Sequence, residues 1–168
     1  ATAVNPLNYY GLTKSMAEEC IKSRNCRAAI LRTILVYGVI PDTSRSNVVL
    51  WAKNQLEVGN TIRVVSDQWR MPTWVDDLAN VCVKTLKKES QGIYHISSEK
   101  MMSIEELVRI LANVLSFNND LIVPISAKDI GQDKNRPRLT GFDLTKLRTS
   151  LTLNQQALLI LCCIFVNN

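Results

Sequence analysis

The order of apolar and polar residues divides the chain into helical and extended stretches that alternate. Residues 10–24 keep Met16, Ala17, Cys20 and Ile21 on one stripe, with Lys14, Glu18 and Lys22 elsewhere, which is the period of an amphipathic helix. Residues 28–37, "AAILRTILVY", are nearly continuous in apolar and β-branched types, broken by Arg32 and Thr33. That pattern predicts a strand buried on both faces, as in a parallel sheet, stopped by Gly38 and Pro41. Residues 47–58 predict a helix with Trp51 in its core and Gly59 as its C-terminal stop. A short strand over 62–65, a loop "SDQWRMPT" and a helix over about 75–86 follow. Residues 92–97 predict a second buried strand. Ser103-Ile104-Glu105-Glu106 is a capping box, and Ile104, Leu107, Val108, Leu111 and Leu115 carry the apolar face onward. Residues 121–125 are extended, 127–140 are polar and loop-like, and 142–151 form a short helix with Asp143 as N-cap.

Strands that alternate with helices imply an α/β fold. The 168 residues suffice for one domain with a sizeable core. A net charge of +5 is modest and dispersed, so it gives a solvated surface with at most a mild pull on phosphate-bearing ligands. No basic stripe with interleaved aromatics occurs, so nucleic acid is not an expected partner. The longest apolar run, 157–166, is ten residues, whereas a membrane-spanning helix needs about 20. No membrane association is expected, and the run is either a packed terminal helix or a foreign tail. The five cysteines are odd in number, form no Cys-x-x-Cys pair and are joined by a single His. They predict reduced thiols in a cytoplasmic protein and no metal site.

Tyr10 and Lys14 lie four residues apart on the first predicted helix, on one face and about a turn from each other. A nearby ammonium favours a phenolate, and a phenol so placed can pass a proton. Reduction of a carbonyl by a nicotinamide needs such a group, because hydride goes to carbon and a proton must reach oxygen. By themselves the two residues are a weak signal, and the plainer reading is two surface residues of a helix.

The flanking residues narrow the choice. "NPLNYYGLTKSMAEE" resembles the Pro-x-x-x-Tyr-Gly-x-Ser/Thr-Lys-x-x-x-Glu block of extended short-chain dehydrogenase/reductases, through Pro6, Tyr10, Gly11, Thr13, Lys14 and Glu18. "ILRTILVYG" resembles the next parallel strand of that family. "VVSDQWRMPTWVDDLA" resembles an Asp-Gln…Pro-Thr…Asp-Leu-Ala block particular to the dTDP-4-dehydrorhamnose reductase branch. "GIYHIS" and "NRPRLTGFDLTKL" resemble later segments in the same order, so the likeness spans roughly residues 4–153.

The resemblance implies the C-terminal part of a doubly wound, Rossmann-like NAD(P)-binding fold with a smaller substrate-binding region. Residues 1–40 would end the cofactor domain, 41–153 would be mainly substrate-binding with one or two returning strands, and 154–168 would be an atypical apolar tail. It implies NADP or NAD as cofactor and a nucleotide-linked 4-keto sugar as substrate. Tyr10 would be the general acid, and Lys14 its electrostatic partner and ribose anchor. Thr33 and Leu35 would lie near the nicotinamide, Leu35 where the branch often has tryptophan. Asn47, Gln68, Arg70 and Arg136 would approach the substrate, the arginines suiting its phosphates.

Other readings stay open. Asn47 also reads as a helix-entry residue, Gln68 and Arg70 as loop residues packing on Trp69 and Trp74, and Arg136 as a surface residue. Asp67 reads as a turn acceptor, Asp77 as an early-helix charge and His95 as a satisfied core histidine. An epimerase or dehydratase of the same superfamily is an alternative activity. A non-catalytic regulatory subunit, like the methionine adenosyltransferase β subunit, is an alternative role, and a homodimer is a further expectation. The sequence carries no Gly-rich dinucleotide fingerprint, so the chain is expected to be a fragment that does not bind a dinucleotide normally alone.

Overall fold

The computed structural model describes residues 4–24, 26–39 and 46–151. The predicted stop at Pro41 and the apolar run at 157–166 lie outside the described residues. In chain order the elements are α1 (Tyr9–Ser23), β1 (Ala29–Thr33), β2 (Val36–Tyr37), α2 (Val48–Glu57), β3 (Ile62–Val65), β4 (Trp69–Arg70), β5 (Thr73–Trp74), α3 (Val75–Lys87), β6 (Gly92–Ile96), β7 (Met102–Ser103), α4 (Ile104–Val114), β8 (Ile122–Ile125), β9 (Leu139–Thr140) and α5 (Thr145–Leu151). Strand pairing is parallel for β1 with β6, β2 with β5, β3 with β8 and β4 with β9; only β4 with β7 is antiparallel among the described strands. The fold is α/β with parallel sheets, as the alternation predicts.

Two apolar clusters hold it together. Val49, Ala52 and Leu56 of α2 pack on Leu107, Val108 and Leu111 of α4, over the β3–β8 pair. Val81 of α3 packs with Tyr94 and Ile96 of β6 and Leu147 and Leu151 of α5, flanked by Ala29 and Leu31 of β1. The α4 capping box forms as predicted: the Ser103 hydroxyl accepts from the Glu106 N–H, and the Glu106 carboxylate accepts from the Ser103 N–H. Asn47 opens α2, and Gly59, at φ +77°, follows its end.

Four expectations change. The "AAILRTILVY" segment is two strands, because the chain turns at Ile34 and Leu35, where Leu35 adopts φ +43°. Thr73 secures that turn. Its N–H donates to the Leu35 carbonyl, and its buried hydroxyl accepts from Thr33 and lies 2.8 Å from the Ile34 carbonyl and 3.2 Å from that of Ile96. Second, β1 is half-buried rather than buried on both faces, and β6 is its one strand partner among the described residues. Third, "SDQWRMPT" contains β4 and the first residue of β5, strands too short to show a period in sequence. Fourth, Trp51 is 38% exposed, because the buried face of α2 runs through Val49, Ala52 and Leu56.

Helix α1 forms where predicted but buries none of its residues. Met16, on the expected apolar stripe, is 62% exposed. What fastens α1 to the sheet is a two-pronged ion pair. Arg32 of β1 donates from Nε and Nη2 to the two carboxylate oxygens of Glu18, at 2.7 and 2.6 Å. The Arg32 hydrogen bond holds the Glu18 carboxyl below its ordinary range against the smaller opposing effect of burial, and Glu18 raises the Arg32 guanidinium in turn.

Glu18→Gln should therefore cost about 1.5–3 kcal/mol at neutral pH, the range for hydrogen bonds to a charged group. A carboxyl lowered in the folded state adds stability above its unfolded pKa of about 4.3 and loses it as pH falls through the lower folded value. Urea midpoints of wild type and variant should differ at pH 7 and converge in that acid window. Thr73→Val should also cost about 1–3 kcal/mol, by leaving buried polar partners unsatisfied, read as a lower urea midpoint with unchanged slope.

Candidate functional site

Asn8 sets the geometry of the Tyr10–Lys14 turn. Its side-chain oxygen accepts from the Gly11 N–H at 2.8 Å and caps α1, while its amide nitrogen donates to the Asn135 carbonyl at 2.8 Å. One residue thus starts the helix and ties it to the loop carrying Arg136. The signal was an Asn directly before the helix.

Tyr10 is 70% exposed. The Lys14 ammonium sits 5.2 Å from the centroid of its ring, within cation–π range, so the two side chains converge rather than splay apart. Lys14 also lines a cleft of about 330 Å³ with Gly11, Ser15, Glu18 and Arg32. Tyr37 provides a contrast. It is 2% exposed, packs on Trp74, and burial pushes its phenol up to about 12, helped by the Asp77 charge. A phenol held neutral in that way is a poor proton relay near neutral pH.

A second group of predicted residues gathers around Arg70. This side chain is 9% exposed, and it donates to the carbonyls of Trp69 (2.7 Å) and Arg138 (3.2 Å) and to Gln68 Oε1 (3.2 Å). All three acceptors are neutral. Burial pushes the guanidinium below its ordinary value and the nearby Arg136 charge pushes the same way. No carboxylate pairs with Arg70 among the described residues. Gln68, 3% exposed, spends its oxygen on Arg70 and its nitrogen on Gln132 at 3.4 Å. It positions the arginine from behind. Arg136 is exposed, and Arg138 lies over the Trp69 ring at 5.9 Å. A cationic pair with neutral support is chemically suited to a phosphate group.

The other predicted residues are engaged by protein atoms. The Thr33 hydroxyl donates to Thr73 at 2.9 Å. Leu35 packs against the first apolar cluster. Asn47 accepts from the N–H groups of Val49 and Leu50 and donates to the Gly38 carbonyl, and its second amide N–H has no partner among the described residues. Asp67 is a structural acceptor, taking the Ala127 N–H at 2.8 Å. Asp77 lies in the first turn of α3, where burial raises its carboxyl and Asp76 adds to the effect. His95 is not a satisfied histidine. It stacks on Phe142 at 4.3 Å, but its buried Nε2 has no hydrogen-bond partner.

Tyr10 and Lys14 are both exposed, and Lys14 borders the cleft. The sequence offers no glycine-rich loop for the pyrophosphate. Among the described residues no His/Cys/Asp/Glu group is arranged to hold a metal, and no helix is long and apolar enough to cross a membrane.

The family model described as "RmlD substrate binding domain" matches residues 1–158. The methionine adenosyltransferase 2 subunit beta of Xenopus tropicalis is 32% identical over 149 residues, covering 85% of this chain and 44% of that protein. A probable low-salt glycan biosynthesis reductase of Haloferax volcanii is 25% identical over 154 residues, covering 91% of this chain and 51% of that protein. The chain thus spans about half the length of the curated relatives it matches. The crystal structure of a dTDP-4-dehydrorhamnose reductase from Bacillus anthracis in complex with NADP aligns at a TM-score of 0.86 and 25% identity, covering 98% of this chain and 57% of the reductase. A dTDP-glucose 4,6-dehydratase of the same organism, in complex with NAD, aligns at 0.80 with 14% identity and so shares the fold alone. With nearly its whole length matched and its parallel α/β fold shared, the chain belongs to the RmlD substrate binding domain family, within the extended short-chain dehydrogenase/reductases.

Proposed function

We propose that this chain carries the proton-donating and phosphate-binding part of an NAD(P)H-dependent reductase acting on a nucleotide-linked 4-keto sugar. The observation that carries this reading is the Lys14 ammonium standing over the Tyr10 ring on an exposed face of α1. When bound, a reduced nicotinamide supplies the hydride for the keto carbon. Tyr10 gives its phenolic proton to the keto oxygen as charge develops there. Lys14 stabilises the phenolate left behind and hydrogen-bonds the ribose hydroxyls. Arg70 and Arg136 bind the sugar-nucleotide diphosphate, and Gln68 keeps Arg70 aimed. Asn47 offers its free N–H toward the same ligand. Thr33 and Leu35 shape the strand end beside the nicotinamide.

A second reading has one observation in its favour. The methionine adenosyltransferase β subunit of Xenopus tropicalis is 32% identical to this chain, against 25% for the Haloferax reductase. In that reading the Tyr10–Lys14 helix serves cofactor binding within a regulatory subunit, and the product of interest is a complex with a partner enzyme.

The test uses the chain together with its cofactor-binding half. Incubated with NADPH and dTDP-4-keto-rhamnose, it should consume NADPH stoichiometrically with substrate, which also distinguishes a reductase from an epimerase or dehydratase that recycles its cofactor. Tyr10→Phe should lower turnover by about 10²–10⁴-fold, the worth of a general acid, with NADPH binding unchanged. Intact NADPH binding with no turnover, together with co-purification of a methionine adenosyltransferase, would replace this reading by the second.

A further inference from the structure

Among the described residues, hydrogen bonds tie α1 and its cap to β1 or beyond in two places. One is the Arg32 fork on Glu18, in the C-terminal half of the helix. The other is the Asn8 amide at its start, bonded to the Asn135 carbonyl at 2.8 Å. From Asn135 the hydrogen bonds continue to Arg70. The N–H groups of Asn135 and Arg136 both donate to the Gln132 carbonyl, at 3.3 and 3.0 Å. The Gln132 side chain accepts from Gln68 Nε2 at 3.4 Å, and Gln68 Oε1 accepts from Arg70 at 3.2 Å. At the opposite end Asn8 Oδ1 accepts from the N–H of Gly11, the residue after Tyr10, at 2.8 Å. An unbroken path therefore joins the Arg70 guanidinium to the turn that carries Tyr10.

The segment in the middle of this path is braced against itself. Ser126 and Asp129 close a capping box, the Gln132 N–H donates to the Ala127 carbonyl at 2.8 Å, and Asp67 takes the Ala127 N–H. A segment so bonded passes a displacement on rather than absorbing it. Two features make it responsive to an anion. Arg70 and Arg136 are like charges close enough to oppose each other. A phosphate between them turns repulsion into attraction and draws the loop of Arg136 toward β4, which gives the ligand a differential affinity for the drawn-in arrangement. The Gln68–Gln132 bond, at 3.4 Å, is the link with room to shorten, since such bonds are commonest near roughly 2.9–3.0 Å.

We infer that Gln132 and Asn8 are positioning residues: a diphosphate held by Arg70 and Arg136 pulls on residues 126–138 and, through these two side chains, sets the direction of Tyr10. The inference rests on the proposed nucleotide-sugar reading and adds that the remote end of the substrate prepares the proton donor. Binding energy from the diphosphate then appears in turnover rather than in affinity.

The test uses the chain together with its cofactor-binding half, loaded with NADPH, and dTDP as the probe, which brings the diphosphate without the keto group. Saturating dTDP should shift the Gly11 amide resonance of the wild type. Gln132→Met removes the side-chain acceptor and keeps the carbonyl; Asn8→Ser keeps a capping oxygen and removes the amide donor. Both variants should bind dTDP within about threefold of wild type and lose most of the Gly11 shift. With dTDP-4-keto-rhamnose, both should lower kcat about tenfold at nearly constant KM, and neither should lower it further in a Tyr10→Phe background. A Gly11 shift that persists in both variants with dTDP bound would overturn the inference and leave the reductase reading standing. Loss of dTDP binding in both variants would make their role structural and overturn it too. A wild type that does not bind dTDP would remove the diphosphate assignment and the inference together. The predicted Gly11 response without turnover would uphold the coupling and refute the reductase reading.

Discussion

The ion pair between Glu18 and Arg32 is the constraint on which the rest of the candidate site depends. Helix α1 buries no side chain, so the usual source of helix stability in a folded protein, an apolar face against a core, is missing from it among the described residues. Two parallel N–H···O bonds replace it. Their fork geometry fixes rotation as well as distance, because both guanidinium nitrogens must meet both carboxylate oxygens. Glu18 is one turn beyond Lys14, and Lys14 one turn beyond Tyr10. Fixing the first fixes the direction of the other two. The Asn8–Asn135 bond acts at the other end of the same helix and sets how its start faces the loop of Arg136.

The two groups of predicted site residues differ in how their charges are placed. At Tyr10 and Lys14 the charge is exposed and stands over an exposed ring. At Arg70 the charge is buried, with carbonyl and amide oxygens for support and a second guanidinium nearby. Burying a cation without a counter-charge is costly unless hydrogen bonds or a ligand compensate. The three neutral acceptors supply that compensation from within the protein. The framework between them is stiff, since Thr73 links the end of β1, the Leu35 turn and β6 through one hydroxyl and one N–H.

The sequence revealed those features that are local. The Ser103–Glu106 box, the Asn47 cap, the α4 apolar face and the Tyr10–Lys14 spacing each depend on residues within a turn or two of each other, and each appears where the pattern places it. What stayed hidden depends on residues distant in sequence. A run as apolar as "AAILRTILVY" gives no sign of a break at Leu35, because the break is enforced by Thr73, some forty positions away. The two-residue strands around Arg70 are too short for any period, and they exist because β7 and β9 come alongside. Glu18 and Arg32 were both visible as motif residues, yet nothing in their spacing says that they meet. His95 looked like an ordinary core residue, and only the packed fold shows its Nε2 unmatched.

A double-mutant cycle across Glu18 and Arg32 measures how firmly the pair holds α1. Wild type, Glu18→Gln, Arg32→Met and the double variant would be compared by urea unfolding at pH 7. A coupling free energy of about 1 kcal/mol or more, within the roughly 0.5–3 kcal/mol typical of residues in direct contact, is expected. A coupling indistinguishable from zero would mean that the pair does not hold α1, and the placement of Tyr10 and Lys14 would need another cause.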